Sequence, residues 1–197
     1  MRPLSLLLFL TLLCTAPLCL TGCDFGDGGS QQPDGGPSPD GGNSADTPFA
    51  REMISAHNSV RISATPAPNP ALPTLTWSTE VAATAQAWAD QCQFRHNPNL
   101  GSLKLGENIA AATPNGLTTA GVVRNWASES AYYDYGTNSC AGGQTCGHYT
   151  QIVWRATTQL GCAMAKCTQN SPFGSGQWWF WVCDYSPPGN FVGQRPY

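Results

Sequence analysis

The chain of 197 residues is long enough for one domain and carries a formal net charge of −3. Five of its acidic residues lie in residues 24–46, and from Thr47 onward eight basic residues are balanced by seven acidic ones. This balance argues against a nucleic-acid partner, because there is no basic field to neutralise phosphates.

The first 46 residues have the composition of an export signal and a tether. Residues 1–22 combine Arg2, a short apolar run and small residues before Cys23, so we predict a signal peptide. The ending Leu20-Thr21-Gly22-Cys23 resembles a bacterial lipobox, which predicts that Cys23 is acylated; an ordinary signal with a chance cysteine is the alternative. Residues 23–46 then form the acylated cysteine and a disordered Asp/Gly/Pro linker. We expect a lipid-anchored protein of the cell envelope, either periplasm-facing or at the cell surface.

Three helices are predicted in residues 47–197. Thr47-Pro48 supplies a cap and a first-turn proline for a helix that runs to about Ser63. A second helix starts near Ser78, and a third runs from about Thr118 to Ser130. Residues 93–116 are predicted to be mostly loop, with a short turn at 106–112. The second helix carries one apolar stripe made of Val81, Ala85, Trp88, Ala89 and Cys92, and the third buries Val122, Val123 and Trp126.

The remaining segments are predicted to be strands, at residues 148–155, 160–167 and 177–185, because they are rich in aromatic and β-branched residues. Helices followed by strands predict an α+β fold in which helices flank a small antiparallel sheet. The run Trp178-Trp-Phe-Trp181 is typical of a strand buried on both faces. The alternative is an exposed aromatic patch that contacts lipid or glycan.

Six cysteines remain in the domain once Cys14, Cys19 and Cys23 are set aside, which predicts three disulfides in an exported protein. If the last two strands form a hairpin, Cys162 lies opposite Cys183. The glycines between Cys140 and Cys146 permit a tight closed loop, which leaves Cys92 for Cys167. Six cysteines allow 15 pairings, so this assignment is a hypothesis.

The chain has three histidines, His57, His96 and His148. Glu107 follows His96 in the loop region. Glu129 lies seven residues after Val122, which turns it toward the packed side of the third helix. A carboxylate in that position needs a partner, because an unpaired buried charge is costly.

The segments Cys146-Gly-His-Tyr-Thr-Gln-Ile-Val-Trp154, Gly106-Glu-Asn-Ile109 and Tyr185-Ser-Pro-Pro-Gly-Asn190 together resemble the signature set of the CAP superfamily. That family comprises cysteine-rich secretory proteins, insect antigen 5 and plant pathogenesis-related class-one proteins, and the resemblance is closest to the plant branch. It covers residues 47–197 and implies a disulfide-braced three-layer α-β-α sandwich. It also implies the same three disulfides.

The resemblance further implies that His96, Glu107, Glu129 and His148 face one central cleft. Its His57-Asn58-Ser-Val-Arg61 motif carries over as structural. The two histidines, supported by the two glutamates, would bind Zn²⁺ or another divalent cation weakly; a purely structural hydrogen-bond network is the alternative. In the C-terminal motif, Asp184 stands where the family usually has asparagine.

The sequence favours a binding module over an enzyme. It has neither His-Glu-x-x-His nor Gly-x-Ser-x-Gly, and every domain cysteine has a disulfide role. We therefore predict a monomeric, membrane-anchored module for extracytoplasmic binding of a lipid, glycan or protein ligand. The alternatives are a metal-dependent hydrolase of peptide or glycan, and a carrier of lipid or sterol in the region of residues 130–147, where Tyr132, Tyr133 and Tyr135 cluster.

Overall fold

The computed structural model describes residues 43–197. The predicted signal peptide, Cys23 and most of the predicted linker therefore lie outside the described residues. In the part of the chain that the structure describes, no helix has both the length and the apolar character needed to cross a membrane.

The three predicted helices are present, and each starts at a hydroxyl cap. The side chain of Thr47 accepts a hydrogen bond from the amide of Ala50, and Ser78 and Thr118 cap their helices in the same way. Two short helices are added to these three. The helices are α1 Pro48–Ile62, α2 Thr79–Ala89, α3 Leu100–Leu103, α4 Thr119–Ala127 and α5 Gly147–Ile152.

The main sheet has the strand order β1-β5-β6-β2. Its strands are β1 Thr76–Trp77, β2 Gly106–Ala112, β5 Gln159–Cys167 and β6 Trp178–Ser186. The last two strands form the predicted hairpin, and β2 adds a third antiparallel strand, while the two-residue β1 is parallel to β5. A second, minor sheet pairs β3 Tyr133–Asp134 with β4 Ser139–Cys140.

The sheet lies between two helical layers. Residues Trp178, Phe180 and Val182 of β6 pack on the side of α2, whereas Trp181 and Cys183 pack with α1, α4 and α5. The aromatic run is thus a buried central strand, as predicted. Helix α2 can approach the sheet closely because β5 carries glycine at position 161. A Cβ atom added there would lie 2.0 Å from the amide nitrogen of Ala82 on α2. The α+β, three-layer α-β-α prediction is confirmed.

Three disulfides brace these layers. They join Cys92 to Cys167, Cys140 to Cys146 and Cys162 to Cys183, which are the pairs proposed from the sequence. The first ties the end of α2 to the end of β5 across 75 residues, and the third links directly opposed positions of the hairpin. Closing so long a loop contributes about 4 kcal/mol in the chain-entropy model.

The prediction that residues 106–112 form a turn within a loop was wrong, because they form β2 and pair along their whole length with β6. The segment Gly106-Glu-Asn-Ile-Ala-Ala-Ala112 is poor in β-branched and aromatic residues, so local propensity gave no strand signal. Pairing with the buried aromatic strand β6 decides its conformation instead.

The prediction that residues 148–155 form a strand was also wrong. The first part of that segment is helix α5, although Tyr, Thr, Ile and Val favour strands. The carboxylate of Glu129 accepts hydrogen bonds from the backbone amides of His148 and Tyr149, which satisfies two donors that the first turn of a helix leaves free. A tertiary contact thus overrides propensity here.

Candidate functional site

His96 and Glu107 form the first of two histidine–glutamate pairs. The Nδ1 atom of His96 lies 2.7 Å from Oε1 of Glu107, and the same oxygen accepts the backbone amide of Asn97 at 3.0 Å. Since a carboxylate only accepts, Nδ1 carries the proton and Nε2 of the neutral ring keeps its lone pair. The His96 side chain is 58% exposed, whereas that of Glu107 is fully buried. The ring is therefore accessible to solvent while the carboxylate that orients it lies in the interior.

His148 and Glu129 form the second pair. The Nδ1 atom of His148 lies 2.6 Å from Oε1 of Glu129, and Oε2 holds the two α5 amides. Glu129 lies on the 3-10 turn Ser128–Tyr132 that continues α4, not on the α-helix itself as the sequence suggested. The imidazole stacks on Trp126, with ring centroids 5.9 Å apart and an interplanar angle of 17°. His148 is thus fixed in both tautomer and orientation.

Both pairs flank the start of edge strand β2. Glu107 is on that strand, and the side-chain amide of the next residue, Asn108, donates to the carbonyl of His148 at 3.1 Å. Across residues 43–197, no group of three or more His, Cys, Asp or Glu side chains is placed to hold a metal ion. Within the described residues, the Nε2 atom of each ring makes no hydrogen bond, and one carboxylate holds Nδ1 of each ring.

His57 belongs to a buried network behind this region. Its Nδ1 lies 2.8 Å from the carbonyl of Met53, which only accepts, so Nε2 accepts from the hydroxyl of Tyr185 at 2.8 Å. Asn108 donates to the Tyr185 oxygen at 2.9 Å. The network therefore connects α1 through β6 and β2 to the backbone of His148, which agrees with a structural role for His57.

The comparisons with known proteins bear on the family and the fold of the chain. The family model described as "Cysteine-rich secretory protein family" (CAP) matches residues 54–185. The basic form of pathogenesis-related protein 1 from Nicotiana tabacum is 40% identical over 151 residues, covering 75% of each chain. Peptidase inhibitor 16 from Bos taurus is 39% identical over 145 residues, which is 74% of this chain and 31% of that protein.

The chain belongs to the CAP family. Its fold matches the structure of Schistosoma mansoni venom allergen-like protein 4 with a TM-score of 0.61 and 27% identity, covering 77% of this chain and 94% of that one. The resemblance inferred from the three sequence motifs is thereby confirmed.

Asp184 is a further acidic residue beside the first pair, and the sequence motifs gave no role for it. It lies directly opposite Glu107 in the β2–β6 register and is fully buried. Neither of its carboxyl oxygens, nor Oε2 of Glu107, has a hydrogen-bond partner among the described residues. Burial, together with the nearby charge of Glu107, raises the pKa of Asp184 to about 8. Asp184 is therefore largely a neutral acid at neutral pH.

Glu107 sets the protonation behaviour of His96. The hydrogen bond from the ring to Glu107 raises the pKa of His96, although burial opposes the shift. We expect Glu107→Gln to lower the pKa of His96, as measured by NMR of the ring protons. Glu129→Gln is the matched control, because it lies against His148 instead. A pKa of His96 that is the same in both variants and in the wild type would contradict this assignment.

The buried His57 should make the fold sensitive to acid. Burial lowers the pKa of His57 from 6.5 to about 4. Between these two pH values the His57 ring is neutral in the folded protein and protonated in the unfolded chain. A depressed histidine pKa contributes stability that is present above pH 6.5 and lost toward pH 4, about 3 kcal/mol in all. In NMR titrations the His57 ring should stay neutral at pH 5.5. Titration of His57 near pH 6.5 in the folded protein would show that the network does not constrain it.

Proposed function

We propose that this CAP protein is an exported, membrane-anchored binding module whose His96 and His148 imidazoles bind a divalent cation weakly. The observation that carries the proposal is that each ring has its Nδ1–H held by a carboxylate. This arrangement leaves Nε2 as the ligand atom and raises its basicity. Borderline ions such as Zn²⁺ accept imidazole nitrogen.

The donor set fits a weak and open site. Two imidazoles are fewer than the four ligands of a structural zinc site, so remaining positions would be taken by water or by a ligand of the protein. Protons compete for Nε2 of His96, since its pKa is raised. Affinity should therefore increase with pH through the titration of that ring.

Zinc calorimetry on the full chain tests the metal part of the proposal. We expect saturable binding that is lost in the His96→Ala/His148→Ala double variant. Glu52→Ala serves as the control, because Glu52 lies on α1 and contacts neither pair. An unchanged melting temperature in the double variant is needed to assign the loss to the rings. Equal zinc binding by the wild type and the double variant would refute the site.

The membrane part of the proposal is supported by the sequence before Thr47 alone. The lipobox-like Leu20-Thr21-Gly22-Cys23 predicts acylation of Cys23, which would anchor the chain to a membrane. Expression of the wild type and of Cys23→Ala, followed by membrane fractionation, tests the anchor. The variant should leave the membrane fraction. Its retention there would overturn the anchor but not the metal site.

A second candidate function, lipid carriage, is favoured by a groove of about 440 Å³ between α1 and α4. Ala56, Val60 and Val123 give it an apolar floor, and Glu52 and Arg124 lie in its wall. We expect saturable binding of labelled fatty acid that Ala120→Trp blocks and that the double histidine variant retains. Binding that is absent, or that persists in Ala120→Trp, would reject this function.

A further inference from the structure

A second cavity lies beside the C-terminal tail, outside the histidine–glutamate pairs. Its volume is about 320 Å³, and its walls come from residues 133–140, the Cys140–Cys146 loop, α5 and residues 190–196. That size is at the lower end of small-ligand sites, which span roughly 300–1,000 Å³. None of His96, Glu107, Glu129 and His148 lines it.

Three aromatic rings contribute to this tail cavity, those of Tyr133, Trp154 and Phe191. Phe191 is 50% exposed and packs against the buried Trp154, with ring centroids 5.9 Å apart. The supported ring thus presents an apolar surface to solvent at the edge of the cavity. An exposed phenylalanine held in this way is a platform for a flat apolar surface.

The rest of the lining is neutral and polar. Amide side chains come from Asn138, Asn190 and Gln194, and hydroxyls from Ser139 and Thr150. Among residues 43–197, those that line the cavity include no Asp, Glu, Lys, Arg or His. Amides and hydroxyls offer both donors and acceptors, which suits a ligand that carries several hydroxyl groups.

The walls are held in place before any ligand arrives. Thr150 donates to the side chain of Asn190 at 2.8 Å, and Asn190 donates to the carbonyl of Gly147 at 2.8 Å. Asn138 donates to the carbonyl of Gln194 at 3.1 Å. The Gln194 side-chain amide makes no hydrogen bond with the rest of the described chain, so it is available. The held walls lose little entropy on binding, whereas the exposed Gln194 side chain must be ordered by the ligand that bonds to it.

We propose that the tail cavity binds a neutral glycan, with a sugar ring stacked on Phe191 and its hydroxyls bonded to the amides. The C–H face of a pyranose is apolar and flat, whereas its rim is covered with hydroxyls, and the cavity matches both properties. A lipid chain fits less well, because it offers no hydrogen-bond partner to the free amide of Gln194 or to the second N–H of Asn138 and Asn190. The absence of charge in the lining disfavours acidic sugars and phosphorylated ligands.

NMR titration of the full chain with soluble tetrasaccharides of glucose and of N-acetylglucosamine tests this site. We expect at least one to bind saturably at millimolar or lower concentration, with shifts in residues 190–194. Phe191→Ala should weaken binding about tenfold or more, and Gln194→Ala should weaken it measurably. Phe173→Ala is the matched control, because Phe173 is 51% exposed on the β5–β6 loop, away from the cavity.

Three outcomes would overturn the proposal. The first is that neither tetrasaccharide binds. The second is that Phe191→Ala and Phe173→Ala bind equally well, which would place the glycan elsewhere. The third is that palmitate, tested in the same way, binds at residues 190–194 more tightly than either sugar, which would make the cavity a lipid site. A melting curve for Phe191→Ala confirms that the variant is folded, and zinc binding by that variant is expected to be unchanged.

Discussion

Replacing Asp184 by asparagine should stabilise the protein by several kcal/mol at pH 8. Burial raises the pKa of Asp184 in the folded protein from 3.8 to about 8. The stability that its neutral carboxyl group contributes is therefore fully present below pH 3.8 and is lost as the pH rises through about 8. Over that window the unfolded chain is ionised while the folded protein retains the proton. Each pH unit therefore costs about 1.4 kcal/mol of stability.

Asparagine has nearly the same shape and cannot ionise, so it removes this cost. Urea unfolding at pH 4, 6 and 8 measures the effect: the variant and the wild type should be close at pH 4 and should separate progressively by pH 8. Asp46→Asn, at an exposed site, is the control and should show no such divergence. A stability difference between Asp184→Asn and wild type that is the same at all three pH values would show that Asp184 does not titrate in this way.

Arg61→Met should destabilise the fold by about 4 kcal/mol or more. The guanidinium is buried and donates at 2.8 Å to the carbonyls of Pro73, Ile152 and Trp154. Burial lowers its pKa to about 10, so it remains charged at neutral pH. Methionine fills much of the volume but removes a charged donor from each of these carbonyls, and among the described residues only that of Trp154 keeps another donor, the amide of Thr157. Each loss costs about 1–3 kcal/mol.

Thermal unfolding followed by circular dichroism measures this effect, and a drop in melting temperature of roughly 10 °C is expected. Arg124→Met is the control, because Arg124 is exposed on α4. The carbonyl of Ile152 ends α5, so the loss should also broaden the NMR signals of that helix. A melting temperature within experimental error of the wild type would show that the Arg61 hydrogen bonds do not hold the turn after α5.

Helices and strands could be predicted from the sequence where the local residue pattern favours the conformation that the fold adopts. Hydroxyl caps at Thr47, Ser78 and Thr118 precede amphipathic runs, so the three longer helices could be predicted with their starts. The hairpin of β5 and β6 followed from two aromatic and β-branched runs around a Pro/Gly loop.

Local signals failed where a distant group decides the conformation. Strand β2 depends on pairing with β6, and α5 depends on the carboxylate of Glu129. The opposition of Asp184 and Glu107 could not be predicted either, because it follows only once β2 is known to be a strand. The histidine–glutamate pairs were suggested by family resemblance, since no spacing in the chain brings His96 to Glu107 or His148 to Glu129.

The most direct test of the proposed cation site is long-range ¹H–¹⁵N NMR of the histidine ring nitrogens during a zinc titration of the full chain. Before zinc, His96 and His148 in their neutral forms should carry the proton on Nδ1. Zinc should then shift the Nε2 resonances of both rings and leave those of the buried His57 unchanged. Unshifted Nε2 resonances of His96 and His148 at saturating zinc would contradict the metal site and leave the two pairs as structural hydrogen bonds.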